Sequence, residues 1–238
     1  MAFDLRRDPD KLLLLLVISD VVFVVLHTLH TYSGFFVGSW FSIGRERGFA
    51  ESFQYLKEGW IVLMLLFLTL KQRILLYPAW CSLFAYVLAD DFFGIHEQLG
   101  ERLASHLGVL PMFGLRAVDF GELGVTAFAA VSLLGLIGVA HYRGDRDTRS
   151  FSRSLLALLV ALGFFGVLGD MVHAMVMKHP IWDFVLEIIE DGGEMVVMSV
   201  IVWAVFHRWR SRWGADAERR EDRVTVMGRP QSDARTRL

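Results

Sequence analysis

Six apolar stretches, at about residues 12–31, 53–70, 74–95, 118–141, 154–177 and 184–208, follow one another along 238 residues with only short polar connections. No other feature restricts the fold as much. A backbone N–H or C=O inside a bilayer has no water to bond, so runs of this length and polarity are expected to cross as helices. The hydrophobic share of 54% and the mean hydropathy of +0.45 exceed what burying a soluble core requires. The expected fold class is an all-α membrane protein, a bundle of about six transmembrane helices. Residues 1–208 are expected to form the membrane domain and 209–238 a polar, partly disordered cytoplasmic tail. The segment 145–153 is expected to be a polar loop.

The first apolar run resembles a secretory signal, with Arg6, Arg7 and Lys11 ahead of Leu12–Leu26. It continues through His27, Thr28 and Leu29 without a small-residue cleavage site, which makes a retained first span the better reading. Lysine and arginine set the orientation, because short cytoplasmic loops retain them. With the N-terminus inside, 18 of the 24 Lys and Arg residues fall on the inner side. The outer side holds Arg45, Arg47, Lys57, Arg102, Arg116 and Lys178. Both termini are therefore expected in the cytoplasm, and in a bacterial cell the membrane would be the plasma (inner) membrane. Trp40, Trp60 and Trp182 fit an outer aromatic belt, and Trp209 and Trp213 an inner one.

Several function classes drop out. A net charge of −2 gives no footprint for nucleic acid. The single cysteine, Cys81, excludes an intramolecular disulfide and a multi-cysteine metal knot. There is no nucleotide loop, serine-nucleophile motif or paired-histidine zinc signature, and no outer loop is long enough for a soluble catalytic domain.

The spans fall short of a bilayer, always at the outer end. Uninterrupted apolar residues cover only 59–70 in the second, 74–89 in the third, 154–169 in the fifth and 195–206 in the sixth. To cross, these helices must carry their acids inward. At about 1.5 Å per residue from the inner boundary, Glu58 and Glu194 lie roughly 18 Å up, and His27, Asp90, Asp170 and Glu190 about 22–24 Å. Asp91, Glu122, His173 and Glu187 follow at about 26–28 Å, near the far edge of a ~30 Å core. Every helix thus brings a titratable group to one layer. Glu187, Glu190, Asp191 and Glu194 form a stripe at i, i+3, i+4, i+7, and Asp170 and His173 share a face of the fifth helix. Asp90 is expected to share a face with Gly94, Glu97 and Glu101, with Asp91 and His96 turned elsewhere.

Intramembrane acids are costly and mark functional paths. Four on one stripe require protons, cations or pairing with Lys57 or an arginine. Carboxylates mixed with histidines on facing helices are the donor set of divalent ions in helical bundles. The expected ligands are Glu58, Asp91, Asp170, His173, Glu190 and Glu194, with His27, His96, Glu122 and Glu187 as weaker candidates. The implied cofactor is a divalent metal ion, with Fe, Mn and Zn all compatible. A haem between paired histidines is disfavoured by the surrounding acids.

Blander roles compete at some positions. Asp183 and Glu187 suit the first turn of a helix electrostatically, and Glu97 and Glu101 suit a solvated surface. Asp20, the deepest acid, is expected to bond only a neighbour such as Ser19. The implied partners are the lipid bilayer and a substrate (small molecule, lipid or ion) reaching the layer from the outer face or the membrane. The first functional reading is a metal-binding membrane protein with scope for metal-dependent catalysis. The second is a cation or proton transporter using the same carboxylates, and the third a non-catalytic subunit of a membrane complex. A transporter should place acids at several depths, and only Asp20 lies deep.

Overall fold

A computed structural model describes residues 9–33, 38–108, 110, 116–168 and 180–227; at 167–168, 180–181 and 214–227 it describes the backbone alone. Among these residues the chain is all-helical, with seven α-helices and no strand. They are α1 (Asp10–Ser33), α2 (Phe49–Gln72), α3 (Leu76–Phe93), α4 (Ile95–Leu107), α5 (Ala117–Arg143), α6 (Arg146–Gly163) and α7 (Pro180–Met227). A 3₁₀ turn at Ser39–Phe41 precedes α2, and a π-helical turn at Phe164–Leu168 follows α6. Among the described residues, four helical segments are long and apolar enough to cross a membrane: Asp10–Ser33, Phe49–Gln72, Ala117–Arg143 and Arg146–Gly166.

Local chemistry explains the boundaries. The α6 helix begins eight residues ahead of its expected apolar start at Ser154, so the segment expected to be a polar loop is helical instead. Asp145 caps it, accepting the Thr148 N–H at 2.9 Å. Bonds from the Thr148 hydroxyl and backbone hold the Asp145 carboxyl below the usual carboxylate range. Thr148, Ser152 and Leu155 then follow at helical spacing as one buried face, which is why a polar sequence still docks as a helix. The α3 helix stops at Gly94, whose left-handed backbone (φ 62°, ψ 47°) also starts α4. The expected common face of Asp90, Glu97 and Glu101 is broken there, because a helical period does not carry through a left-handed residue.

The α2 helix packs on α3 and α7, α7 also receives α1 and α6, and α5 receives α3 and α4. The core joins Ile61 and Leu65 of α2, Tyr77, Trp80 and Phe84 of α3, Leu155 of α6, and Ile201 and Val205 of α7. In contrast, the perimeter stays apolar and uncovered: Leu14 and Ile18 of α1 and Phe128 and Val131 of α5 face outward. The α4–α5 contact is unusually close. A Cβ on Gly121 would overlap the Gly100 carbonyl, and one on Gly100 would lie 2.7 Å from the Glu122 Cα.

The two ends differ in chemistry. At one, Trp203 Nε1 donates to Asp10 (3.2 Å) and Lys71 lies 3.6 Å from the Trp213 ring centre. There too Arg208 bonds the Tyr77 hydroxyl (3.0 Å) and pairs with Asp147 (2.7 Å). This joins the starts of α1, α3 and α6 to the end of α2 and the middle of α7. The opposite end gathers the acids.

Candidate functional site

The α1–α2 connection folds over the acid end and organises part of it. Ile43, 5% exposed, inserts beneath this loop and directs its amide at His27 Nδ1 (3.4 Å). The Ser42 hydroxyl and the Gly44 amide donate to Glu187 Oε1 at 2.9 and 3.2 Å. His27 is buried, lies 3.5 Å from Glu187 Oε2 through Nε2, and stacks on Phe184 with ring centres 5.1 Å apart. A side chain at Gly44 would meet Glu187 Oε1 at 2.8 Å and Asp191 Oδ2 at 3.0 Å. Glycine lets the loop lie directly on the acid stripe of α7, where any side chain would push these two carboxylates aside.

Beside this contact lies a cavity of about 300 Å³, lined by Glu46, Glu51, Asp90, Asp91, Asp191 and Glu194 among others. His96 and Arg45 also face it. The Asp90 carboxylate caps α4, accepting the His96 N–H at 2.7 Å, and lies 3.0 Å from His96 Nδ1. Behind the lining, Glu58 is 1% exposed, with Asp91 and Glu194 near enough to act on it electrostatically. Neighbouring buried carboxyl groups cannot all stay ionised unless a proton or a cation lies between them. Glu58 Oε2 is buried with no hydrogen-bond partner among the described residues. A divalent ion could replace that proton.

A separate polar cluster lies in the core between α1, α2 and α7. The Lys57 ammonium donates to Asp20 Oδ1 (3.0 Å), the Met195 carbonyl (2.9 Å) and Ser199 Oγ (3.3 Å). Ser199 in turn donates to Asp20 Oδ2 at 2.5 Å. All three side chains are at most 1% exposed. The expectation that Asp20 would bond Ser19 is corrected here, since Ser19 donates to the Leu15 carbonyl one turn back. Lys57, counted among the outer cations by sequence, is a core residue that reaches across to α1.

The expected ligands divide accordingly. Glu58, Asp91 and Glu194 come together, and His96 joins them around the cavity through Asp90. Glu190 is 9% exposed on α7. His27 and Glu187 form their own contact under the loop. Glu122 packs against Gly100 of α4 and does not line the cavity. Asp170 and His173 lie outside the described residues. Among those described, no three His, Cys, Asp or Glu side chains converge closely enough to hold a metal ion. The π-helical turn nevertheless ends at this site: the Glu194 carboxylate occupies the space a Cβ on Gly166 would take, and Gly193 is in van der Waals reach of Phe165. Sequence reasoning missed the loop and the pairing of Lys57 with Asp20. The small residues Gly38, Ser39, Ser42 and Gly44 around Trp40, Phe41 and Ile43 were the available signal for a loop that packs.

No curated protein and no solved structure matches this chain. One family model, described as Domain of unknown function (DUF8692), matches residues 12–209. That interval takes in six of the seven helices almost whole, the folded-over loop, the acid cavity and the lysine cluster. By this match the chain belongs to the DUF8692 family.

Proposed function

We propose that this is a multi-pass protein of the plasma membrane whose outer end binds a divalent cation in a pocket open to one face, for use in a metal-dependent reaction. The observation that carries this reading is the neighbouring carboxyl groups of Glu58, Asp91 and Glu194, because one oxygen of Glu58 is buried without a hydrogen-bond partner among the described residues. Asp170 and His173, an i, i+3 pair in the sequence, are the further donors proposed for this ion. Such an ion would polarise a bound substrate or activate water. The protein's own part is to hold carboxylates without their usual hydration and to close the site with the Ser42–Gly44 loop. The uncovered apolar perimeter supports placing the bundle in lipid.

Element-resolved metal analysis of the purified full chain tests the proposal. Wild type should carry stoichiometric metal, and Glu58→Gln, Asp91→Asn and His173→Ala should lose most of it. Equal metal in wild type and Glu58→Gln would sink the site.

A cation or proton transporter is the second reading, favoured by one observation. Asp20, Lys57 and Ser199 extend polar groups inward from the acid cavity, which a path across the bundle would need. They are sealed from solvent, and this places transport second. Ion flux in proteoliposomes that disappears in Asp20→Asn while metal content is kept would reverse the order.

A further inference from the structure

Three cavities adjoin at the acid end and share walls. The acid cavity shares Arg45 with one of about 560 Å³ around Trp40 and Arg47. It shares Tyr55 with a third, about 520 Å³, lined by Arg47, Ser52, Phe92, Phe93 and Gln98. Tyr55 is therefore a partition: its hydroxyl bonds Glu51 and the Asp91 carbonyl, while its ring meets Phe92 edge-on at 5.7 Å. On the far side Phe92 and Phe93 are 53% and 60% exposed, an apolar groove opening sideways from the bundle.

The two arginines stand out chemically. Arg116 is paired with Asp119 and Arg208 with Asp147, whereas neither Arg45 nor Arg47 has a carboxylate partner for its guanidinium among the described residues. Arg45 lies over the Trp40 ring at 5.6 Å, and Arg47 holds a left-handed backbone (φ 57°) with its amide on Glu51. Two uncommitted guanidiniums beside an acid cavity and an apolar groove describe an amphiphile with an anionic head. A guanidinium matches phosphate oxygens in a two-pronged fashion, and a phosphomonoester has oxygens enough for two arginines and a cation at once.

We propose that the ligand of this end is a lipid with a phosphomonoester headgroup, held by Arg45 and Arg47, with its chain lying in the Phe92–Phe93 groove. This rests on the reading of the acid cavity as a binding pocket open to the outer face, and it adds the ligand class.

The test uses the full chain in phosphatidylcholine nanodiscs with spin-labelled phosphatidate, reading the immobilised fraction by electron paramagnetic resonance. Phosphatidate should be held in clear excess over spin-labelled phosphatidylcholine, whose choline opposes the arginine pair. Arg45→Ala and Arg47→Ala should each weaken that preference by roughly tenfold, the scale of a charge-assisted bond, and Arg47→Lys should recover part of it. Arg102→Ala, an exposed cation on α4 away from these cavities, should leave it unchanged. Equal retention of phosphatidate and phosphatidylcholine overturns the proposal. So does spin-labelled stearate held as firmly as phosphatidate, or water-soluble glycerol phosphate competing as well as the lipid. Metal content of the same samples separates the two claims: preference kept without metal removes only the metal reading, and metal kept without preference removes only this one.

Discussion

Replacing Lys57 by methionine keeps the side-chain length and removes the charge that three helices share. The lost partners are the Asp20 carboxylate at 3.0 Å, the Met195 carbonyl at 2.9 Å and the Ser199 hydroxyl at 3.3 Å. Stranding one member of a buried ion pair costs about 3–5 kcal/mol, chiefly because the remaining charge is left without a counterion. Neutral interhelical bonds in bilayers average only about 0.6 kcal/mol, since the unfolded chain in lipid finds other partners. The charge therefore decides the outcome, and Lys57→Met should cost about 4 kcal/mol, close to a thousandfold in the folded-to-unfolded ratio. Adding Asp20→Asn removes the stranded charge and leaves an amide that still accepts from Ser199. The double variant should be more stable than the sum of the two single losses by about 2 kcal/mol or more. Reversible unfolding in mixed detergent micelles, followed by circular dichroism across the four-member cycle, supplies the numbers. Additive losses, or a Lys57→Met cost below about 1 kcal/mol, would refute the view that this pair ties α1, α2 and α7 together.

Other perturbations have equally definite outcomes. Gly121→Ala should loosen α4 from α5 at a cost of about 1–3 kcal/mol, because the new methyl overlaps the Gly100 backbone. Gly135→Ala on the same helix meets nothing within 4 Å and should be neutral or slightly stabilising; equal effects would contradict the close approach. Tyr77→Phe removes the hydroxyl that Arg208 Nε bonds and should cost about 1–2 kcal/mol in the same unfolding assay. At Asp145 the folded carboxyl titrates below its ordinary value, so its contribution is present above the unfolded pKa and is lost as pH falls through the folded one. Stability of wild type over Asp145→Ala should therefore persist at neutral pH and vanish in strong acid; a gap unchanged by pH would show that the carboxylate cap is not its source.

The all-helical class and the presence of several long apolar helices were legible because both follow from local counts, apolar run length and rise per residue. The gathering of Glu58, Asp91 and Glu194 could be anticipated for the same reason, as depth along a helix needs no tertiary information. Lys57 and Asp20 were not legible together. Thirty-seven residues separate them, and one reads as an outer cation while the other reads as a lone deep acid, so the pairing appears only once α1 and α2 both lie against α7. The Asp90–His96 contact was hidden by Gly94, whose left-handed turn resets the helical period that sequence arithmetic extends unbroken. The loop over Glu187 left a weaker trace, since short loops rich in small residues are ordinarily solvent-facing connections.

The α7 helix runs unbroken for 48 residues, which at about 1.5 Å each is roughly 72 Å of continuous rod. Its Glu187, Asp191 and Glu194 lie at the acid end, while Arg208 and Arg212 grip Asp147 at the other, and the helix continues past that grip to Met227. Asp147 is 60% exposed, so the grip lies at the surface of that end. A single helix thus joins the acid pocket at one end of the bundle to the basic grip at the other, so a displacement of the rod along its axis would be felt at both.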